Sequence, residues 1–305
     1  MKTTYFEKLT KYSNCSLLII LIAIMSFSGL SVFGKTERVE TFNSIEVQVV
    51  GKGNPVILLP ALGCSANMWD LTIENVFQNY ECYMVNIAGY AGQKAVEQPD
   101  FEIVIRDVLD FISKNKLGKV ILVGHSFGGN LAMRIALAKP KLFSNLVIVD
   151  SYPFSPGVIN PDITYEQAKM QAGMIESQLK LLPDSVFNHQ QAISYSSMIE
   201  DKQIANSIIQ EVIKSDRNTI CRAYYEIFST DLRDSLKILD VKAIVLASWS
   251  SARQMGRSKS YIQDILNEQY KNLLNCEILI AEKANHFIMF DEPEWFYNSI
   301  TNFIK

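Results

Sequence analysis

The chain has 305 residues, 48% of them apolar and 20% charged, with a formal net charge of −3. This is globular composition, with enough apolar matter for one large domain or for a domain carrying an insertion. The near-neutral balance and the lack of a long basic block argue against nucleic acid or an anionic membrane surface, and leave a small or uncharged molecule as the expected partner.

Lys2, Lys8 and Lys11 precede LLIILIAIMSFSGLSVFG, a run with no charge before Lys35. Residues 1–34 therefore resemble a bacterial export signal, with small residues near Ser31 and Gly34 where a peptidase could cut. Export to the periplasm or beyond is expected. Residues 17–33 also approach the length of a bilayer span, so an uncleaved anchor is the alternative, and the one expected route to a membrane. Cys15 precedes the apolar run and would leave with it. The remaining cysteines (Cys64, Cys82, Cys221, Cys276) are too widely and irregularly spaced for a disulfide-rich scaffold or a zinc site, and buried free thiols are expected.

After Lys35, VETFNSIEVQVVGKGNP alternates in part and closes in a turn, which reads as one or two edge strands. Short apolar runs rich in β-branched residues follow at 56–60, 82–87, 119–124, 145–150, 243–248 and 276–281, as suits strands covered on both faces. Helical patterns lie between most of them, at 66–78, 101–116, 127–139, 258–274 and 293–304. Alternation of this kind predicts a doubly wound, mostly parallel α/β sheet. About ninety residues between the fourth parallel run and the fifth look helical throughout, from Tyr165 to about Leu182 and from about Ile204 to Phe228. The predicted organisation is a core over 35–151 and 236–305 with a helical lid inserted over 152–235, a few of whose aromatic residues, among Tyr152, Phe154, Tyr224, Tyr225 and Phe228, should line a pocket.

Gly124-His125-Ser126-Phe127-Gly128 fits G-x-S-x-G directly after a strand and before a helix, which is the setting a nucleophile elbow requires. The flanking glycines leave room for neighbouring backbones, and a helix starting at Phe127 aims its N-terminus at the reacting centre. The bland alternative is a small serine in a turn. A serine needs a base to take its proton, and the chain has three histidines. His125 belongs to the elbow and should point away from Ser126, His189 falls in the predicted lid, and His286 follows the last strand. His286 is the expected base, with a packing or capping role as its plain alternative.

The segments VILLPALGCSANMWD, YMVNIAGYAGQ, ILVGHSFGGNLAMRIALAKP, LVIVDSYPF and NHFIMFDEPEWF together resemble the α/β-hydrolase superfamily, from Val56 to Lys305 apart from the lid. The resemblance implies an α/β-hydrolase fold and a serine hydrolase acting beside a carbonyl, with no cofactor and no metal; it does not choose the bond. It implies an oxyanion hole from the backbone N–H groups of Leu62 and Phe127, although Pro60-Ala61 stands where relatives usually carry His-Gly. Relatives usually place the acid after the strand at 243–248, where WSSARQMGRSKSYIQ offers no carboxylate before Asp264, itself inside a helical pattern. Some carry the acid one strand earlier, which makes Asp150 the expected acid of a Ser126–His286–Asp150 triad. The alternatives are an Asp150 that merely bonds loop amides, a dyad, or a distant acid such as Asp234. The expected activity is an exported carboxylic-ester hydrolase taking a small to medium apolar ester. Its rivals are an aminopeptidase-like amidase, for which Glu166, Glu176, Glu200, Asp201 and Glu226 could meet a substrate amine, and a ligand-binding protein without turnover.

Overall fold

The computed structural model describes residues 38–305. The expected export segment or anchor, with Cys15, lies outside them. The strands are β1 (Arg38–Thr41), β2 (Ile45–Val50), β3 (Asn54–Leu59), β4 (Tyr80–Ile87), β5 (Val120–His125), β6 (Phe143–Val149), β7 (Lys242–Ala247) and β8 (Cys276–Ile280). They form one sheet in the order β1-β2-β4-β3-β5-β6-β7-β8, antiparallel at β1 and β2 and parallel from β4 to β8. This is the α/β-hydrolase fold.

Burial on both faces explains the unbroken apolar runs. Every residue of β5 is buried. Val120 and Leu122 face one core and Ile121 and Val123 the other, as the two-residue period of a strand requires. The first core is closed by α2 (Phe101–Lys114), α3 (Phe127–Ala138) and α10 (Lys259–Tyr270), through side chains such as Phe101, Leu131 and Leu266. The second is closed by α1 (Asp70–Val76) and α11 (Pro293–Ile304), with Trp69, Phe77, Phe296 and Ile300 fully or almost fully buried. Strand order reverses between β3 and β5, because the chain moves out to β4 and then crosses back over β3. The carboxyl ends of the strands flanking such a reversal splay apart into a crevice.

Between β6 and β7 the chain is helical: α4 (Pro156–Ile159), α5 (Tyr165–Leu181), α6 (Asp184–Met198), α7 (Lys202–Val212) and α8 (Arg217–Ser229). The helix expected over about 204–228 is two helices. Asp216 breaks it by accepting from the Thr219 N–H at 2.8 Å, as an N-cap does, and Asp201 caps α7 in the same way. α6 was not separately delimited by the sequence pattern. Nor was α9 (Ser250–Gln254), which sits in the loop after β7. β6 stops at Val149, one residue short of expectation, because Asp150 leaves the strand with φ +41°. Cys64, Cys82 and Cys221 are buried free thiols and Cys276 is a half-buried one.

Candidate active site

Ser126 sits at the crevice, between β5 and α3. Its backbone is forced to φ +54° and ψ −119°, a strained turn for a non-glycine residue that lifts the side chain off the strand end. Two close approaches make the turn possible. A Cβ at Gly124 would lie 2.1 Å from the Gly128 carbonyl oxygen, and one at Gly128 would lie 2.5 Å from the carbonyl oxygens of Leu59 and Pro60. The second contact presses the loop after β3, which carries Leu62, against the elbow. Phe127 opens α3, so its N–H has no acceptor within the helix and the positive end of the helix dipole lies beside Ser126.

His286 and Asp150 are joined by a hydrogen bond, Nδ1 to Oδ2, of 2.7 Å. Asp150 is 7% exposed and its oxygens are filled: Oδ1 accepts the Ser248 N–H at 2.7 Å, and Oδ2 accepts the Ser248 hydroxyl at 2.9 Å. β6 and β7 are neighbours, so the loop in which relatives usually carry the acid lies beside the end of β6. Here that loop supplies two donors to a carboxylate that reaches it from next door. The capping role weighed for Asp150 and its contact with His286 are thus held by the same carboxylate.

The backbone around His286 is pinned on every side. Glu292 accepts the N–H groups of Lys283 and Ala284 at 2.8 and 2.9 Å, and Asp291 accepts that of Asn285 at 2.9 Å. The N–H of Phe287 donates to the Met198 carbonyl at the end of α6, 3.2 Å away. The His286 carbonyl accepts from His125 Nε2 at 2.9 Å. His125 is wholly buried, packed against the rings of His286 and Phe287 at 4.7 and 4.6 Å. Since Nε2 carries the proton, Nδ1 is a buried lone pair, and it has no partner among the described residues.

Burial holds the His125 imidazole well below its usual range, and the adjacent His286 adds to the effect. The folded protein keeps this ring neutral, while the unfolded chain protonates it near pH 6.5. Below that pH the unfolded state binds the extra proton, so this contribution to stability is complete above about pH 6.5 and falls by up to about 1.4 kcal/mol per pH unit beneath it. His125→Gln retains an N–H that can reach the carbonyl but does not titrate. The gap in urea midpoint between wild type and variant is therefore expected to narrow from pH 7 to pH 5; a constant gap would show that His125 titrates normally. Asp70, pushed up to about 6 by burial and then by Glu211, works in the opposite sense in both proteins and cancels in the comparison.

A cavity of about 450 Å³ opens over the elbow, bordered by Ser126, Phe127, Asp150 and His286. Its walls come from α4 and the residues before it (Tyr152, Val158, Ile159), from Ile227 of α8, and from the segment after β7 (Trp249, Met255, Ile262). Of the aromatic residues considered for a pocket, Tyr152 borders it; Phe154, Tyr224, Tyr225 and Phe228 do not. Leu62 does not border it either. Its loop is held from the insertion, with the Tyr195 hydroxyl donating to the Leu62 carbonyl and the Ser215 hydroxyl to that of Gly63.

The remaining candidates lie elsewhere. His189 is exposed on α6, Asp264 is exposed within α10, and Asp234 is exposed beside Asn272. Cys64 is fully buried, and burial pushes its thiol well above the usual range, which keeps it from acting as a thiolate. Glu226 is buried between Arg134 and Arg222, while Glu166, Glu200 and Asp201 are exposed and Glu176 pairs with Lys180. Ser248, Tyr195 and the clamp made by His125 had no signature in the sequence beyond their residue types.

A family model described as the alpha/beta hydrolase fold matches residues 54–189. Ethanol acetyltransferase 1 of Kluyveromyces marxianus is 23% identical over 246 residues, covering 73% of this chain and 66% of that protein. The sn-1-specific diacylglycerol lipase ABHD11 of Xenopus tropicalis is 27% identical over 203 residues, covering 65% of this chain and 61% of that one. The matches thus span less than two thirds of either relative. Among solved structures, the esterase EaEST of Exiguobacterium antarcticum superposes with a TM-score of 0.71 at 17% identity, over 85% of this chain and 95% of the other. These likenesses show the α/β-hydrolase fold.

Proposed function

We propose that this protein is a serine esterase that cleaves carboxylic esters through an acyl-enzyme. The observation that carries the reading is the 2.7 Å bond from His286 to a fully bonded Asp150, on the wall of the same cavity that Ser126 borders. His286 Nε2 takes the hydroxyl proton as Ser126 Oγ attacks the ester carbonyl. The N–H of Phe127 holds the oxyanion, at about 3 kcal/mol of transition-state stabilisation; the loop that carries Leu62 packs against the elbow at Gly128, and a small shift of that loop would bring the Leu62 N–H in as the second donor. Collapse of the tetrahedral species breaks the bond to the alkoxy oxygen, which leaves with the proton from His286. Water then attacks the acyl-enzyme, gives its proton to His286, and releases the acid and free Ser126. Asp150 holds the Nδ1 proton in place throughout.

Two supports separate this reading from its rivals. An amidase that grips a substrate amine needs an acidic side chain at its pocket, and Asp150, already committed to Ser248 and His286, is the one carboxylate bordering the cavity among the described residues. A binding protein without turnover would have no use for the strained turn at Ser126 or for the backbone anchoring of His286. The names of the two relatives, an acetyltransferase and a lipase, fit acyl chemistry at the same serine. The apolar start of the chain adds the proposal that the enzyme is exported; cell fractionation tests this separately, and retention in the cytosol would sink it.

Fluorophosphonate labelling decides between enzyme and binder. Peptide mapping is expected to place one equivalent of label on Ser126, whereas a folded protein that stays unlabelled sinks the reading. A panel of p-nitrophenyl esters set beside amino-acid anilides is expected to show ester cleavage alone; anilide turnover matching the esters would favour the amidase.

A further inference from the structure

We propose that Arg257 anchors a negatively charged group of the substrate, so that the esters this site takes carry a carboxylate or phosphate remote from the reacting carbonyl. The catalytic part of this statement rests on the esterase reading; the anion site itself does not.

Among the described residues, Arg257 is, apart from His286, the only basic side chain bordering the cavity, and the sole acidic one is Asp150. An entering ligand therefore meets one uncompensated positive charge. The neighbouring charges are already engaged. Arg253 donates to the carbonyls of Glu282 and Lys283, and Lys259 pairs with the Glu282 carboxylate. Arg257 makes no ion pair among the described residues; its guanidinium lies 5.1 Å from the ring centroid of Tyr261, another cavity residue.

The backbone shows how the arginine is fixed there. α9 ends in a Schellman motif: the Arg257 N–H bonds to the Ala252 carbonyl at 2.8 Å, the Gly256 N–H bonds to the Arg253 carbonyl at 2.9 Å, and Gly256 takes φ +71°. The position after the glycine in this motif commonly holds an apolar residue that packs back on the helix. Here it holds a cation, and Ala252, onto which an apolar side chain would pack, lines the cavity instead. The planar fork of an arginine suits bidentate pairing with a carboxylate or phosphate. The wall of the same cavity offers Ile227, Ile262, Ile265 and Val158, which fit an apolar chain.

The test compares the monomethyl ester of a straight-chain dicarboxylic acid with the neutral dimethyl ester of the same acid. Wild type is expected to favour the anionic hemiester in kcat/KM. Arg257→Gln is expected to lower that preference about tenfold through KM, the scale of one charge-assisted hydrogen bond, and Arg257→Glu to reverse it. Arg257 is exposed, so these variants keep the fold. An acyl ester of a hydroxyalkyl phosphate, run in parallel, distinguishes phosphate from carboxylate by which of the two loses more. A preference that is absent in wild type, or unchanged in Arg257→Gln for both anions, overturns the proposal.

Binding of the hemiester to Ser126→Ala, followed by calorimetry, separates the two readings. Affinity that falls when Arg257→Gln is added supports the anion site even if Ser126 takes no label. A labelled, charge-blind enzyme whose affinity is the same in both proteins removes the anion site and leaves the esterase.

Discussion

Ser126→Ala is expected to lower kcat by about 10⁶-fold on any ester the wild type cleaves, the scale seen when a triad nucleophile is removed. The substitution takes one oxygen and no backbone. Alanine carries the same Cβ, so the strain of φ +54° is neither added nor relieved, and the bond from the Ser126 N–H to the Val149 carbonyl, 2.8 Å, remains. The melting temperature should therefore move by no more than a degree or two, on the scale of a substitution that creates neither cavity nor strain. What survives is the cavity, the N–H of Phe127 and the dipole of α3, which together leave a residual acceleration over water of about 10³ to 10⁴-fold. Steady-state rates on the best ester of the panel, with mass spectrometry to exclude wild-type carry-over, check this. Turnover within tenfold of wild type would mean that the attacking oxygen comes from elsewhere.

How far the site can be read from the sequence depends on how local its physics is. Ser126 is legible because the elbow is a short-range object: Gly124 and Gly128 are demanded by contacts within a few residues, and by one with the end of β3. His286 is legible because three histidines leave few choices. The strands are legible as runs buried on both faces, but their order is not, since no pattern in β4 says that it lies outside β3. Asp150 can be reached only by noticing that the loop after β7 lacks a carboxylate, and the sequence leaves its role open between cap and partner. The missing fact is that β6 and β7 are adjacent, which brings the N–H and hydroxyl of Ser248 onto the Asp150 carboxylate across 98 positions of chain. The His125 bond to the His286 carbonyl spans 161 positions and concerns a main-chain atom, which no side-chain pattern records. The division of the insertion into α6, α7 and α8 depends on single capping aspartates, whose weight against continuous helical periodicity is visible only once the turns are formed.

Asp150→Asn is expected to lower kcat by about 10⁴-fold, and the direction follows from counting protons on the groups around it. The carboxylate is surrounded by three donors: the Ser248 N–H on Oδ1, and the Ser248 hydroxyl and His286 Nδ1–H on Oδ2. An amide can accept through one oxygen only. The Ser248 N–H is fixed by the backbone and cannot become an acceptor, so the asparagine oxygen takes the Oδ1 place and the NH₂ the Oδ2 place. The Ser248 hydroxyl rotates to accept. His286 has the one remaining adjustment: Nδ1 gives up its proton to accept from the amide, and the proton moves to Nε2. An imidazole protonated at Nε2 cannot take the proton of Ser126, so the nucleophile is silenced without being touched. Asparagine tolerates positive φ, so the +41° backbone at this position costs the variant little. The protein should fold with its cavity intact and still bind substrate, so the loss should fall on kcat and leave KM nearly unchanged. NMR of the histidine ring nitrogens provides the direct check, with the proton on Nδ1 in wild type and on Nε2 in the variant. A variant that turns over within tenfold of wild type would reduce Asp150 to a cap on the loop after β7 and move the acid elsewhere.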